Sequence, residues 1–257
     1  MLNVRYEGRI AYVELGRPPV NALDDNFVSA LGGALDEVET SGPSVICIRS
    51  TLKVFAAGAD LAFLARIANS SQGEQELESY LLRIQSLFAK LEALDAITIA
   101  EIGGAAMGAG LELALSCDLR VVAKSAKLAL PEVGIGLLPA AGGTQRLTRL
   151  CGRAHAIRMI CAGDTLTSEQ AYSVGLADYT VADQDLRNFV DELARRIAVK
   201  PAPALRMAKR CILAQNSIDD DGFAMERLAA GKLLRQEETR ALIQKFFERS
   251  AQRASGR

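Results

Sequence analysis

Residues 97–123 read ITIAEIGGAAMGAGLELALSCDLRVVA, and this stretch decides the fold class. The apolar run at 97–102 predicts a buried strand, the following glycines predict a tight turn, and 119–123 predicts a second strand. Between them, residues 108–117 carry apolar side chains on all faces of a helix, so we expect this helix to be buried. A strand, a buried helix and another strand predict an α/β fold with parallel pairing.

The same alternation continues toward the N-terminus. Residues 4–15 predict two strands joined by a turn, 24–39 predict a helix that begins after an aspartate, and 44–50 predict a further buried strand. Residues 69–73 form the most linker-like stretch, and they separate two helical patterns. We find no clear repeat in the sequence.

The C-terminal part of the chain has a different pattern. After about residue 186 the apolar spacing is wholly helical, with one helix start near Pro201 and a long helix predicted over 222–250. We therefore expect an α/β core at residues 1–195 and a C-terminal helical region at residues 196–257.

Composition excludes several classes of function. The 257 residues carry a formal net charge of −1, so no basic surface for nucleic acid is expected. No apolar run approaches the ~20 residues that a membrane span needs. The N-terminus reads directly as structure and not as a targeting segment, which predicts a cytoplasmic location. The expected partners thus include neither nucleic acid nor membrane.

The inventory of reactive side chains favours carboxylates. The five cysteines are scattered without a CxxC pair, which predicts reduced, buried thiols and no metal site. The single histidine, His155, begins a predicted helix, and a helical or surface role is the simpler interpretation. We therefore expect acid/base chemistry to come from Asp or Glu.

Glu112 is the first candidate. It is the only charged residue between Glu101 and Asp118, inside the helix expected to be buried. Burying an unpaired carboxylate costs several kcal/mol or forces it to hold a proton. A structural explanation also exists, either a salt bridge to a distant arginine or a favourable place near the helix N-terminus.

Glu132 is the second candidate. It is the only charged residue between Lys127 and Arg146, in an apolar stretch rich in Gly and Pro that predicts an ordered loop. Alone, Glu132 could equally be structural. Two such acids on neighbouring segments favour a general acid/base pair, because a protein can tune paired carboxylates to work near neutral pH.

The glycines of residues 103–110 allow two interpretations. They resemble a dinucleotide-binding turn, but the GxGxxG pattern fails because Leu113 stands at its third small position. The better interpretation is a helix N-terminus whose free N–H groups polarise a ligand oxygen, with small residues allowing close approach.

Five motifs together resemble one family. They are RPPVNAL at 17–23, FAAGADL at 55–61, GAGLELA at 108–114, PEVGIG at 131–136 and PAAGGTQRL at 139–147. In this order they are similar to the crotonase (enoyl-CoA hydratase/isomerase) superfamily, over essentially the whole chain. The C-terminal region departs from the common pattern, with Ala241–Leu242 and Lys245–Phe246 where members often have Glu-Gly and Ala-Phe.

The resemblance implies a fold, a ligand and an assembly. The fold is a spiral of repeated ββα units with a C-terminal helical trimerisation region, giving a homotrimer or a dimer of trimers. The ligand is an acyl-CoA, with coenzyme A as part of the substrate and no separate cofactor.

The resemblance also implies roles for particular residues. The N–H groups of Ala59 and Ala109 would form an oxyanion hole, although many members have Gly in place of Ala109. Glu112 and Glu132 match the two acids of the hydratases, so hydration of a 2-enoyl-CoA is favoured over isomerisation or a specialised hydratase or lyase reaction. Further substrate contacts are expected at Ala57, Gly58, Asp60, Leu61, Gly108, Pro131 and Gly134.

Two other classes are disfavoured. A non-catalytic acyl-CoA-binding or RNA-binding member would be expected to lose one of the acids or to carry a basic surface. A Rossmann oxidoreductase would need the glycine fingerprint that Leu113 breaks.

Overall fold

The computed structural model describes residues 2–215, 222–234, 236–239 and 241. The chain divides into two compact units, Met1–Arg196 and Ile197–Arg257. The strands are β1 Leu2–Glu7, β2 Ile10–Leu15, β3 Val45–Ser50, β4 Ile97–Ile102, β5 Ala106–Met107, β6 Leu119–Ala123, β7 Lys127–Ala129, β8 Leu166–Thr167 and β9 Tyr179–Val181. The helices up to residue 198 are α1 Asp25–Ser41, α2 Leu61–Ala68, α3 Gly73–Ala93, α4 Ala109–Leu115, α5 Gly143–Cys151, α6 Arg153–Cys161, α7 Ser168–Ser173 and α8 Leu186–Ala198.

Two sheets organise the first unit. The larger has the strand order β1-β2-β3-β4-β6-β9, in which β1 pairs antiparallel with β2 and every later pair is parallel. The smaller has the order β5-β7-β8. The α/β class and the parallel pairing predicted from the sequence are confirmed.

The smaller sheet continues as single bridges toward the N-terminus. Leu23 pairs with Ala59, and Ala56 pairs with Ala106 at the start of β5. After β2, β3, β4 and β6 the chain therefore passes through this second layer before it reaches its next helical segment. This is the expected spiral of ββα units. The turns of the spiral differ in length and local sequence, which is why the repeat is not visible in the sequence.

Local sequence signals explain helices α1 and α4. The side chain of Asp24 accepts a hydrogen bond from the N–H of Phe27 and so caps α1. Every residue of α4 is buried, as its apolar sequence predicted. The strands β5, β7 and β8 were not predicted, because two or three residues are too few to show an alternating pattern.

The second unit is helical where it is described. Helix α9 spans Ala202–Ala214 with Pro201 at its N-cap, as predicted, and α10 spans Gly222–Leu234. Residues 242–250 of the long helix predicted from Gly222 onward lie outside the described residues. Over the described ranges, no helix is both long and apolar enough to cross a membrane.

Candidate active site

The loop after β3 is fixed against two neighbouring segments. The N–H of Ala57 donates to the carbonyl of Val20 at 3.0 Å, and the N–H of Leu23 donates to the carbonyl of Gly58 at 2.8 Å. On the other side, the N–H of Met107 donates to the carbonyl of Ala56 at 3.0 Å. The loop therefore lies beside β5 and the start of α4.

Asn21 is a residue whose importance the sequence analysis missed. It is fully buried and has a positive φ of 51°. Its amide nitrogen donates to the Phe55 carbonyl at 2.9 Å and to Ser50 Oγ at 2.8 Å, while its Oδ1 accepts from the Arg17 N–H at 2.7 Å. Asn21 thus ties the N-terminal motif to the start of the loop. The sequence signal that could have identified Asn21 is a polar residue between two apolar neighbours, shortly after two prolines.

Two glycines allow this loop and α4 to approach closely. A Cβ on Gly58 would lie 2.9 Å from the Met107 carbonyl oxygen and 3.5 Å from the Ala109 nitrogen. A Cβ on Gly108 would lie 2.7 Å from Oε1 of Glu132. Both glycines have positive φ, 103° and 51°, which side chains disfavour.

The amides of Ala59 and Ala109 are the N–H groups that the family resemblance assigned to an oxyanion hole. Gly58 brings the backbone of Ala109 against the loop that contains Ala59. Within the described ranges, neither N–H donates to a protein acceptor. The two donors are therefore available to an oxygen of a ligand.

Glu112 lies in the first turn of α4 and is 2% exposed. Its Oε1 accepts hydrogen bonds from the N–H groups of Ala141, at 2.8 Å, and Gly143, at 2.6 Å. Burial is the main cause that raises the pKa of Glu112 to about 7, and the negative charge of Glu132 raises it further. The two amide bonds and the charge of Arg146 act in the opposite direction.

The structural explanations for Glu112 can now be compared with its surroundings. Glu112 forms no salt bridge with any Lys or Arg in the described part of the chain. It does lie in the first turn of a helix, as the second explanation required. Both backbone hydrogen bonds go to Oε1, so among the described residues the amides hold only one of its two oxygens.

Glu132 begins a 3₁₀ helix, Glu132–Ile135, directly after Pro131. Burial raises the pKa of Glu132, whose Oε2 is buried without a hydrogen-bond partner among the described residues. Its Oε1 faces Gly108, immediately before the amide of Ala109. The two predicted acids thus lie in one electrostatically coupled site, beside one of the two available N–H groups.

The other predicted contact residues differ in their availability. The side chain of Asp60 caps α2 by accepting from the N–H groups of Ala62 and Phe63, and it pairs with Arg17 at 3.3 Å. Its own N–H donates to Leu23, so little of Asp60 is free to bind a ligand. Four contacts are exposed, which leaves their binding role a prediction: Ala57, Leu61, Pro131 and Gly134.

The remaining candidates lie elsewhere. His155 is in α6, as predicted. The cysteines are free, and Cys47 and Cys117 are buried, but Cys161 is exposed, so the expectation of buried thiols is wrong there. In the ranges that the structure covers, no group of three or more His, Cys, Asp or Glu side chains could hold a metal ion.

Known proteins are similar to this chain over almost its whole length. A family model described as enoyl-CoA hydratase/isomerase matches residues 5–254. The short-chain-enoyl-CoA hydratase of Clostridium acetobutylicum is 31% identical over 95% of this chain and 93% of that protein. The 2,3-dehydroadipyl-CoA hydratase of Escherichia coli is 32% identical over 100% of this chain and 99% of that protein.

A solved structure agrees with these relatives. The crystal structure of an enoyl-CoA hydratase from Bacillus anthracis superposes with a TM-score of 0.88 at 30% identity, covering 96% of both chains. The family match, the full-length relatives and the spiral of ββα units point the same way. The chain therefore belongs to the enoyl-CoA hydratase/isomerase family, the crotonase superfamily, and is an enzyme.

Proposed function

We propose that this enzyme adds water across the 2,3 double bond of a 2-enoyl-CoA and gives a 3-hydroxyacyl-CoA. One observation carries the proposal. Two coupled acids with raised pKa values, Glu112 and Glu132, lie beside an available backbone N–H. The names of the two relatives, both hydratases of an enoyl-CoA thioester, support the same reaction.

The amides of Ala59 and Ala109 act first in this proposal. They donate hydrogen bonds to the thioester carbonyl and stabilise the negative charge that develops on it when water attacks. Preorganised donors of this kind are each worth about 3 kcal/mol of transition-state stabilisation. The methyl group of Ala109 leaves its N–H intact, so the donor is retained.

The two acids then move protons in opposite directions. Glu112 takes a proton from the water whose oxygen bonds to C3, and Glu132 gives a proton to C2. A pKa of about 7 suits Glu112 to this role, because near neutral pH it both accepts and releases a proton readily. Exchange of protons with solvent restores the pair for the next turnover.

The resemblance also supports the remaining features of the proposal. The enzyme would act on acyl-CoA in fatty acid metabolism such as β-oxidation, as a homotrimer or dimer of trimers, and the sequence itself predicts that it does so in the cytoplasm. Light scattering of the purified chain measures the assembly directly.

The test is hydration of crotonyl-CoA, followed by the loss of the absorbance of the enoyl thioester. Glu112→Gln and Glu132→Gln should each reduce turnover by about 10²-fold or more, because each removes one member of the acid/base pair. Arg158→Gln is the matched control, since it removes only the exposed ion pair of Arg158 with Asp164 and should keep wild-type turnover.

Two results would contradict the proposal. One is near-wild-type turnover in a folded Glu112→Gln or Glu132→Gln variant. The other is a wild-type enzyme that moves the double bond of a 3-enoyl-CoA without adding water, which would make isomerisation the reaction.

A further inference from the structure

The carboxylate of Glu112 is held by a loop and not by its own helix. Both hydrogen bonds to its Oε1 come from the junction of a loop with α5, through the amides of Ala141 in the loop and of Gly143, the first residue of α5. A shift of this segment would therefore move or release Oε1. The position of the loop decides where the carboxylate points.

Arg146, in the first turns of α5, holds this loop. Its Nη1 donates to the Ala141 carbonyl at 3.1 Å, while Nε and Nη2 donate to Oε2 of Glu92 on α3 at 3.1 and 3.0 Å. The guanidinium folds back so closely that a Cβ on Gly142 would lie 2.1 Å from Nη1. Its side chain is only 11% exposed.

A second side chain of α3 supports the same loop. Gln85 donates from Nε2 to the Ala140 carbonyl at 2.6 Å. Two successive carbonyls of the loop are thus tied to helix α3. Gln85 holds the carbonyl of Ala140 directly, and Arg146, which is paired with Glu92, holds the carbonyl of Ala141. Because Gln85 is exposed, the nearly buried Arg146 is the stronger of the two ties.

The charges around Glu112 give Arg146 a second effect. The groups that interact with this carboxylate are Glu132 from the 3₁₀ helix, Tyr80 from α3 and Arg146 from α5. Arg146 is the positive group among these, and it lowers the pKa of Glu112, which burial raises. Removing this charge should therefore raise that pKa further.

We propose that Arg146 is a positioning residue, which holds the loop at Ala141–Gly143 so that the carboxylate of Glu112 is oriented toward the reacting water. The proposal rests on the role of Glu112 as base in the proposed function. A purely structural role, in which the ion pair with Glu92 only fastens α5 to α3, would lower stability without changing how Glu112 titrates.

The first test compares the pH profiles of kcat/KM for crotonyl-CoA hydration. The wild-type profile should fall below about pH 7, because Glu112 must lose its proton to act as base. Arg146→Gln should reduce kcat about 10-fold and move this fall to higher pH. Arg146→Lys, which keeps the charge but loses the fork of donors, should reduce kcat and leave the fall where it is.

The control is again Arg158→Gln, which should change neither kcat nor the profile. An Arg146→Gln variant with the wild-type pH profile would overturn the proposal, whatever its stability. If Arg146→Gln does not fold, an Arg146→Lys variant with unchanged kcat would overturn it as well.

A second test needs no turnover and so separates this proposal from the proposed function. It measures, as a function of pH, the difference in unfolding free energy between the protein that retains Glu112 and its Glu112→Gln variant. In the Arg146→Gln background, this difference should keep growing to a higher pH than in the wild-type background. An identical pH dependence in both backgrounds would overturn the role of Arg146. If the wild-type chain hydrates no enoyl-CoA but Arg146→Gln still shifts this pH dependence, the proposed function alone is refuted.

Discussion

Two glutamates of this enzyme are buried almost equally but have opposite surroundings. Glu112 is 2% exposed and Glu101, at the end of β4, is 4% exposed, and burial raises the pKa of both. Glu101 pairs with Arg187 at 2.9 Å and lies 4.0 Å from Arg49. Glu112 has backbone amides on one oxygen and the charge of Glu132 nearby.

The difference shows that burial alone does not identify a reactive acid. Guanidinium groups stabilise the ionised form of Glu101, so it serves as one member of a structural charge cluster. For Glu112, a second acid adds to the cost of the charge, which leaves its proton easily exchanged near neutral pH. The identity of the partners separates a structural acid from one suited to proton transfer.

The largest expected effect tests the structural side of this comparison. Arg49→Met should lower the free energy of unfolding by about 4 kcal/mol, because it leaves the buried Glu101, with Glu14 and Asp191, without the guanidinium that these acids share. Urea unfolding at pH 7.5 measures this change, with the exposed Asp164→Asn as control. Folded Glu101→Gln should hydrate crotonyl-CoA like wild type. A loss of turnover comparable to that of Glu112→Gln would contradict the distinction between a structural Glu101 and a reactive Glu112.

The next effect has the opposite sign. The folded-state pKa of Glu112, about 7, lies above the ordinary glutamate value of about 4.5, so the wild type loses stability as pH rises between these two values. Glu112→Gln removes this cost and should stabilise the enzyme by about 3 kcal/mol at pH 8. The gain should shrink as pH falls below 7 and vanish near pH 4.5. Thermal unfolding across this range measures it, and a gain independent of pH would contradict the buried, proton-binding state.

The smallest effect concerns the coupling between the two acids. In a Glu132→Gln background, the carboxylate of Glu112 no longer faces a like charge, and its pKa should fall. The stabilisation by Glu112→Gln at pH 8 should then be smaller by about 0.5–1 kcal/mol. A double-mutant cycle measures this term. Additive effects of the two substitutions would mean that the acids do not sense each other.

Much of the fold follows from the sequence because its long elements carry clear patterns. The strands of the larger sheet from β1 to β6 and the helices α1, α3 and α4 were all predicted from apolar spacing. The smaller sheet was not, since it is built from segments of two or three residues and from the single bridges of Leu23 and Ala56. Such pairing is decided by tertiary contacts and leaves little local signal.

The candidate site was predictable to a similar degree. Glu112 and Glu132 stood out because each is an isolated charge in an apolar context, and the structure brings them together. The supports of the site did not stand out. Asn21 and Arg146 act through contacts with residues distant in the chain, and nothing in their immediate sequence distinguishes them from other polar residues.

The spiral also determines when the site can form during protein synthesis. Its parts come from successive turns, with the loop at 56–59 first, Glu112 next and the amides of Ala141 and Gly143 last. At about 5–20 residues per second, the ribosome delivers these parts seconds apart. A nascent chain that ends before Gly143 carries both acids but lacks an amide that holds Glu112. The capacity for proton transfer thus arises only once synthesis has passed the middle of the 257-residue chain, after the two oxyanion-binding amides of Ala59 and Ala109 have been made.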